Sequence, residues 1–232
     1  MNVAIIPARG GSKRIPRKNI RDFCGRPMIE WTIRALQQSG AVERIVVSTD
    51  DDEIAAMARS LGAETPFARP KALADDHAAT LPVMSHAVGE LRAQGWHLDR
   101  VCCAYATAPL MRASDLRGAA EALDTSSARY VFSCTTFAFP VQRALRSTPE
   151  GGVEPMFPES IRMRSQDLPE AFHDAGQFYW GRSEAFQSQE AIFTPQSRPF
   201  MVPRYRVQDI DTPEDWIRAE LLFRAFSEEN LS

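Results

Sequence analysis

The feature that most restricts the fold of this chain is a regular alternation between short apolar runs and longer amphipathic segments. Short apolar runs predict strands, and segments with apolar residues at helical spacing predict helices. The predicted strands are 3–6, 44–48, 101–105 and 130–135, and the predicted helices are 27–40, 50–61, 80–92 and 114–123. Because strands that alternate with helices form parallel sheets covered on both faces, we predict an α/β fold with a mostly parallel sheet.

This alternation stops after Pro140. Residues 149–153 contain a proline and two glycines, which predict a hairpin turn, and residues 157–169 show no clear period. We interpret 140–170 as an excursion from the domain. Regular structure is predicted again for strands at 176–180 and 205–210 and for a final helix at 213–227, with Thr212 as its N-cap. A length of 232 residues suits one large domain covering 1–232.

Composition excludes several classes of protein. Hydrophobic residues make up 44% and charged residues 25%, which is typical of globular rather than disordered chains. No apolar run approaches the roughly 18 residues of a membrane helix. The N-terminus lacks the pattern of a signal peptide, so the cytoplasm is the expected compartment. The four cysteines have neither CxxC spacing nor paired histidines, which disfavours a zinc site and a disulfide framework.

The loop after the first predicted strand is the clearest candidate for a binding site. Residues 9–26 contain seven Lys or Arg residues and one acidic residue, in a chain whose net charge is −3. Gly10 and Gly11 can offer backbone N–H groups to phosphate oxygens, and Ser12 can offer a hydroxyl. The positive charge for these oxygens can come from Arg9, Lys13 and Lys18. Neither GxxxxGKS/T nor GxGxxG is present, which disfavours a P-loop NTPase and a dinucleotide dehydrogenase. The alternative is a solvated basic loop without a ligand.

A second candidate is the segment Asp209-Ile210-Asp211. On an extended segment, residues i and i+2 point to the same side, so the two carboxylates could share a hard cation. Mg²⁺ prefers oxygen ligands together with a triphosphate, and it would offset charge on a transferring phosphoryl group. The alternative is that Asp211 supports the helix cap at Thr212 while Asp209 is solvated.

Polar and aromatic side chains interleave between residues 171 and 180. His173, Asp174 and Gln177 could form a sugar-binding wall there, although a buried strand entry would have a similar sequence. Arginines of the excursion, namely Arg143, Arg162 and Arg164, could receive a substrate carboxylate or remain solvated. Covalent nucleophilic catalysis is disfavoured, because the chain has no GxSxG elbow and Ser12 has no evident base.

Residues 5–20, IIPARGGSKRIPRKNI, strongly resemble the signature of the acylneuraminate cytidylyltransferases. Matching blocks follow in order at 48–51, 69–76, 107–110 and 209–215, so the resemblance spans the chain. It implies a Rossmann-like nucleotidyltransferase domain and a homodimer with an extension toward the partner subunit. It also implies Mg²⁺-dependent transfer of CMP from CTP to an acidic nine-carbon sugar. We therefore expect the chain to bind CTP and this sugar. We expect it to bind neither nucleic acid nor a membrane.

The same resemblance implies a role for each candidate residue. The triphosphate would be held by Arg9, Ser12, Lys13 and Lys18, with Gly11 in the same loop. The ribose and cytosine would be bordered by Asn19, Arg69, Ala78 and Thr80. Asp209 and Asp211 would ligate Mg²⁺, and the catalytic groups would be Arg9, Lys18 and Asp211.

Two segments depart from the pattern of the sialic acid enzymes. The sialic acid enzymes tend to carry a glutamine before Pro-Thr-Ser-Pro, whereas this chain has the sequence YATAP at 105–109. Those enzymes have an Asn-Gly-Ala pattern where this chain has DAGQFYW at 174–180. Both segments look like those of the members that act on pseudaminic acid, so contacts to this sugar are expected from Tyr105, Thr107, His173, Asp174 and Gln177. The alternatives are legionaminic or N-acetylneuraminic acid, or a noncatalytic nucleotide-responsive protein of this fold. The eight-carbon acid KDO is disfavoured, because its enzymes carry a tyrosine where this chain has Gly10.

Overall fold

The computed structural model describes residues 1–75 and 78–230. Its strands are β1 (Asn2–Pro7), β2 (Asp22–Phe23), β3 (Arg26–Pro27), β4 (Arg44–Ser48), β5 (Arg100–Ala104), β6 (Tyr130–Thr136), β7 (Leu145–Ser147), β8 (Val153–Pro155), β9 (Phe172–Arg182) and β10 (Ser197–Met201). Its helices are α1 (Met28–Ser39), α2 (Asp52–Ser60), α3 (Thr80–Ala93), α4 (Ala113–Asp124), α5 (Ser183–Gln187) and α6 (Pro213–Asn230).

Six of these strands form a central sheet in the order β10-β6-β9-β5-β1-β4. The pairs β1/β4, β1/β5 and β10/β6 are parallel. Strand β9 lies between β5 and β6 and is antiparallel to both. The predicted α/β fold with a mostly parallel, Rossmann-like sheet is therefore confirmed.

Both faces of the sheet are buried, which explains the nearly continuous apolar strands. In β1, the side chains of Ala4 and Ile6 pack into a core shared with α1 and α4, whereas Val3 and Ile5 pack into a second core shared with α3 and α5. A third, smaller core lies where α6 covers the loop after β1. There the ring of Phe23 meets that of Trp216 edge-on, with 5.4 Å between centroids. Helix α6 therefore holds the basic loop against the body of the domain.

Most predicted elements are present, with three corrections on the C-terminal side. The strand predicted for 205–210 is wrong, because Arg204–Arg206 form a 3-10 turn and 207–211 have no regular structure. The edge strand β10 was not predicted, because its sequence SRPFM carries a proline and an arginine and is only partly buried. Strand β9 is also longer than the predicted 176–180. Its pairing with β6 shifts register between Phe132 and Cys134, and Gly176 adopts a φ of 62°.

The excursion contains the predicted hairpin, in which β7 and β8 pair on either side of a turn at 148–152. Two 3-10 turns, Pro158–Ser160 and Ser165–Asp167, lead from the hairpin to β9. The four cysteines are free thiols, and three of them, Cys102, Cys103 and Cys134, are buried. Within the described part of the chain, no helix combines the length and apolarity needed to cross a bilayer.

Candidate active site

A cleft lies beyond the carboxyl ends of β1, β4 and β5, the position at which open α/β sheets bind ligands. It consists of two cavities with volumes of about 480 and 700 Å³. Four residues line both cavities, namely Lys18, Tyr105, Thr107 and Asp211. The cavities are therefore two halves of one site, and we refer to them as the loop half and the strand half.

The loop half collects the residues that the sequence assigned to a nucleotide. Its lining includes Arg9, Ser12, Lys13, Lys18, Asn19, Arg69, Ala78 and Thr80. Gly11 is the one member of the predicted nucleotide set that is not part of this lining. The loop half is thus bordered mainly by cations and hydroxyl groups, which suits a polyanionic ligand.

The loop after β1 has its shape because it approaches the start of α2 closely. The N–H of Gly10 donates to Asp50 Oδ1 at 3.1 Å, and a Cβ at Gly10 would lie 2.5 Å from Asp51 Oδ2. Asp51 also caps α2 and accepts a 2.5 Å hydrogen bond from Arg17 Nη1. Only glycine fits at Gly10, and this contact aligns the following basic residues along the cleft.

Arg69 provides a buried cation at the floor of the loop half. Its side chain is 6% exposed and donates to the backbone carbonyl and hydroxyl of Ser48, at the end of β4. Burial lowers the pKa of Arg69 to about 10. An anionic ligand in the cleft would compensate for this burial, because a nearby negative charge favours the charged form of arginine.

The predicted metal ligands lie at the junction of the two halves. Asp209 and Asp211 both line the strand half, and Asp211 reaches the loop half as well. Asp211 pairs with Arg14 Nη2 at 2.9 Å and approaches Lys18 Nζ at 3.4 Å. Partial burial and the neighbouring charge of Asp211 raise the pKa of Asp209.

This donor set fits a magnesium ion held jointly by protein and triphosphate. The two carboxylates face one cavity. Burial first and the neighbouring charge of Asp211 second raise the pKa of Asp209, and a cation bound here would favour the ionised form. Among the described residues, no group of three or more His, Cys, Asp or Glu side chains is placed to hold a metal ion. Mg²⁺ is commonly bound by one or two carboxylates with phosphates and water completing its shell, so two aspartates suffice.

The strand half contains four of the five residues predicted to contact a sugar, namely Tyr105, Thr107, His173 and Asp174. Gln177 does not line it, which differs from the prediction. Its side chain is 3% exposed, and its Nε2 donates to the carbonyl of Arg206 at 2.5 Å. The register shift of β9 and the left-handed conformation of Gly176 interrupt the regular alternation here. The side chain of Gln177 therefore points into the interior, where it anchors the segment leading to Asp209.

Sequence reasoning missed several residues of the strand half, among them Tyr179, Arg204 and Arg218. Tyr179 had a local signal, because it belongs to the segment 171–180 in which polar and aromatic residues interleave. The two arginines had no local motif. Of the excursion arginines, Arg143 donates to backbone carbonyls of its own segment and Arg164 pairs with Asp167 at 2.8 Å. Neither they nor Arg162 lines the cleft of this chain.

Comparison with known proteins identifies the family of this chain. The family model described as Cytidylyltransferase matches residues 3–230, and the chain belongs to this family of nucleotidyltransferases. It is 44% identical to pseudaminic acid cytidylyltransferase from Campylobacter jejuni, over 96% of both chains. It is 28% identical to CMP-N,N'-diacetyllegionaminic acid synthase from Legionella pneumophila, over 95% of both chains.

A solved structure supports the fold assignment independently. The CMP:2-keto-3-deoxy-manno-octonic acid synthetase, solved in complex with CTP, superposes with a TM-score of 0.71. The match covers 97% of this chain and 98% of the other at 19% identity. At this identity the likeness concerns the fold, and substrate assignment depends on the cleft itself.

Proposed function

We propose that this cytidylyltransferase transfers CMP from CTP to the anomeric hydroxyl of pseudaminic acid and releases pyrophosphate. The observation that carries the proposal is the continuity of the two cavities at Lys18 and Asp211. A nucleotide in the loop half and a sugar in the strand half would meet at these two residues. The 44% identity to a pseudaminic acid cytidylyltransferase over nearly the whole chain supports this choice of sugar.

In the proposed reaction, the anomeric oxygen forms a bond to the α-phosphorus of CTP, and its hydroxyl proton is released to water. The bond between this phosphorus and the oxygen that bridges to the β-phosphate breaks, and that oxygen leaves with the pyrophosphate. Arg9, Ser12, Lys13 and Lys18 would hold the leaving group in the loop half. Their charges act on oxygens that become more negative as the bond breaks, which lowers the barrier through electrostatic stabilisation.

Asp209 and Asp211 would hold Mg²⁺ at the junction. When bound, the ion offsets phosphate charge and lowers the pKa of oxygen groups that it polarises, which reduces the need for a side-chain base. Lys18 would keep Asp211 facing the nucleotide, because its ammonium group contacts both Asp211 and the carbonyl of Ile210. Positioning by these residues accounts for a large part of the expected rate enhancement.

The acidic sugar needs a cation for its carboxylate, and the strand half offers three in Lys18, Arg204 and Arg218. Arg204 is held in place by a 3.0 Å hydrogen bond from its Nη1 to the carbonyl of Phe137. A planar guanidinium can bind a carboxylate through two parallel hydrogen bonds. We therefore assign the sugar carboxylate to the arginine side of this cavity and the remaining hydroxyl and acylamido groups to the side of Asp174 and Thr107.

The excursion is our candidate for the homodimer contact. It exposes a set of apolar side chains, namely Leu145, Val153, Met156, Ile161 and Met163. Clustered apolar exposure of this kind is typical of protein interfaces. A dimer would give a light-scattering mass of about twice 25.9 kDa at micromolar concentration, and a single-chain mass would contradict this contact.

The reaction is tested by incubating the enzyme with CTP and Mg²⁺ in four parallel reactions. These contain pseudaminic acid, legionaminic acid, N-acetylneuraminic acid or no sugar, and pyrophosphate and the CMP-sugar are both quantified. Equimolar pyrophosphate and CMP-sugar with pseudaminic acid is the expected result. Products with another acid alone would contradict the sugar assignment, and no products with any acid would favour a noncatalytic protein that responds to nucleotides.

A further inference from the structure

The carboxylate of Asp174 is held from both sides by the protein. Its Oδ2 accepts a hydrogen bond from the hydroxyl of Tyr179, and its Oδ1 accepts one from the N–H of Gly176 at 3.0 Å. Gly176 has a φ of 62°, a left-handed conformation that brings this N–H back toward Asp174 and that favours glycine. The side chain of Asp174 therefore has one orientation, with its other lone pairs available to the strand half that it lines.

Tyr179 is in turn fixed by its surroundings. It is 4% exposed, its ring stacks on Phe132, and it meets the ring of Tyr105 edge-on with 5.8 Å between centroids. Burial, followed by the negative charges and hydrogen bond around it, raises the pKa of Tyr179, so the phenol remains protonated and acts as a donor to Asp174. A rigid, buried donor of this kind restricts the rotation of the acceptor that it binds.

The hydroxyl groups continue from Tyr179 toward the loop half. Burial raises the pKa of Tyr105 to about 12, and the hydrogen bond with Thr80 partly offsets this shift. The hydroxyl oxygens of Tyr105 and Thr80 are 2.6 Å apart. Tyr105 therefore lies between the ring of Tyr179 in the strand half and Thr80 in the loop half.

We propose that Tyr179 is a positioning residue that holds Asp174 as a hydrogen-bond acceptor for the hydroxyl or acylamido N–H groups of the acidic sugar. This inference rests on the proposed function of the cleft and adds a specificity-determining pair to it. Tyr179 would act through Asp174. Removal of the Tyr179 hydroxyl should therefore weaken binding of the sugar far more than binding of CTP. Its effect should also depend on the presence of the Asp174 carboxylate.

The test compares Tyr179→Phe with Tyr130→Phe, which is a matched control. Tyr130 is also buried in the second core, and its hydroxyl donates to the carbonyl of Glu190 at 3.1 Å, away from the cleft. Each variant loses one phenol hydroxyl and keeps its ring. Values of kcat and of KM for CTP and for the sugar are measured, together with Tm.

For Tyr179→Phe we expect the KM of the sugar to rise about tenfold, the usual effect of losing a hydrogen bond to a charged group. We expect kcat and the KM for CTP to stay within about twofold, and Tyr130→Phe to leave both KM values unchanged while lowering Tm comparably. In the background of Asp174→Asn, which itself raises the sugar KM, adding Tyr179→Phe should have little further effect.

A sugar KM within about twofold of wild type in Tyr179→Phe would overturn the inference while leaving the proposed reaction intact. Equal increases in both KM values, or full additivity of Tyr179→Phe and Asp174→Asn, would also overturn it, because either result indicates general loosening. Absence of turnover by the wild-type enzyme with every acid would contradict the proposed function, and this inference with it.

Discussion

The ammonium group of Lys18 donates a 2.6 Å hydrogen bond to the backbone carbonyl of Ile210. Lys18 belongs to the loop after the first strand, whereas Ile210 lies between the two aspartates near the other end of the chain. This bond, with the approach of Lys18 to Asp211, places the predicted metal ligands opposite the predicted phosphate loop. One lysine therefore connects the predicted cation site to the predicted triphosphate site, and the following predictions concern the groups around it.

The two aspartates should be needed for turnover rather than for folding. Asp211→Asn is expected to lower kcat about a hundredfold or more. The variant loses a proposed carboxylate ligand of Mg²⁺, and this ion would offset the negative charge of the triphosphate. Glu214→Gln removes one negative charge from an exposed side chain three residues away and should leave kcat unchanged. Steady-state pyrophosphate release over a range of Mg²⁺ concentrations makes the comparison. An unchanged kcat of Asp211→Asn at saturating Mg²⁺ would reject Asp211 as a ligand.

Gly10 and Gly11 should differ in their tolerance of a methyl group. In Gly10→Ala the new Cβ would lie 2.5 Å from Asp51 Oδ2 and 2.9 Å from Asp51 Cβ, so the loop must shift. We expect Gly10→Ala to lower the free energy of unfolding by about 1–3 kcal/mol. For Gly11→Ala no atom lies within 4 Å of the new Cβ, and we expect a change below about 0.5 kcal/mol. Urea denaturation measures both, and equal losses would contradict the close contact.

Asp51 should contribute stability that depends on pH. The hydrogen bond from Arg17, together with backbone N–H groups at the start of α2, lowers the pKa of Asp51 below its ordinary 3.8. The folded state therefore binds this proton less readily than the unfolded state. The contribution is complete above about pH 4 and is lost as the pH falls through the lowered value.

The comparison for this prediction is Asp51→Asn, which keeps a good helix N-cap but loses the charge. The difference in unfolding free energy between wild type and variant should be largest near pH 6 and should shrink toward about pH 3. Urea denaturation at several pH values provides the measurement. A difference that does not change over this range would show that the Arg17–Asp51 charge pair contributes nothing.

A buried ion pair between Asp115 and Arg206 should be the most sensitive polar contact outside the cleft. Both residues are less than 9% exposed, and Arg206 also accepts the hydrogen bond from Gln177 through its carbonyl. Asp115→Ala would leave a buried guanidinium without its carboxylate and should cost about 3–5 kcal/mol. The control is Glu64→Ala in the half-exposed pair with Arg44, which should cost less, at about 1 kcal/mol. Similar losses in the two variants would contradict this difference.

The fold was predictable where apolar residues face cores on both sides of the sheet. The bounds of β4 agree with the predicted 44–48, because Ile45, Val46 and Val47 are all buried. The same reasoning was wrong at 205–210, where period-two apolar residues suggested a strand. There Ile210 packs into the core under α6, and Arg206 is held by Asp115, so side-chain contacts from distant segments determine the backbone.

The site was predictable to the extent that its residues lie in one continuous segment. The basic loop had glycines, a hydroxyl and cations in sequence, and its hydroxyl and cations, Ser12, Arg9, Lys13 and Lys18, line one cavity. Arg204 and Arg218 carry no such local signal, since a turn and a separate helix bring them to the strand half. The inward orientation of Gln177 depends on the strand register near Gly176, which the amino-acid pattern does not reveal.

The most direct test of the substrate assignment is the ratio of kcat/KM for pseudaminic acid to that for N-acetylneuraminic acid, measured at saturating CTP and Mg²⁺. This ratio compares transition-state binding of the two acids by one enzyme. We predict a preference of at least about tenfold for pseudaminic acid, because in the proposed function the held carboxylate of Asp174, which lines the strand half, would contact the sugar. A ratio near one, or a preference for N-acetylneuraminic acid, would contradict the assignment.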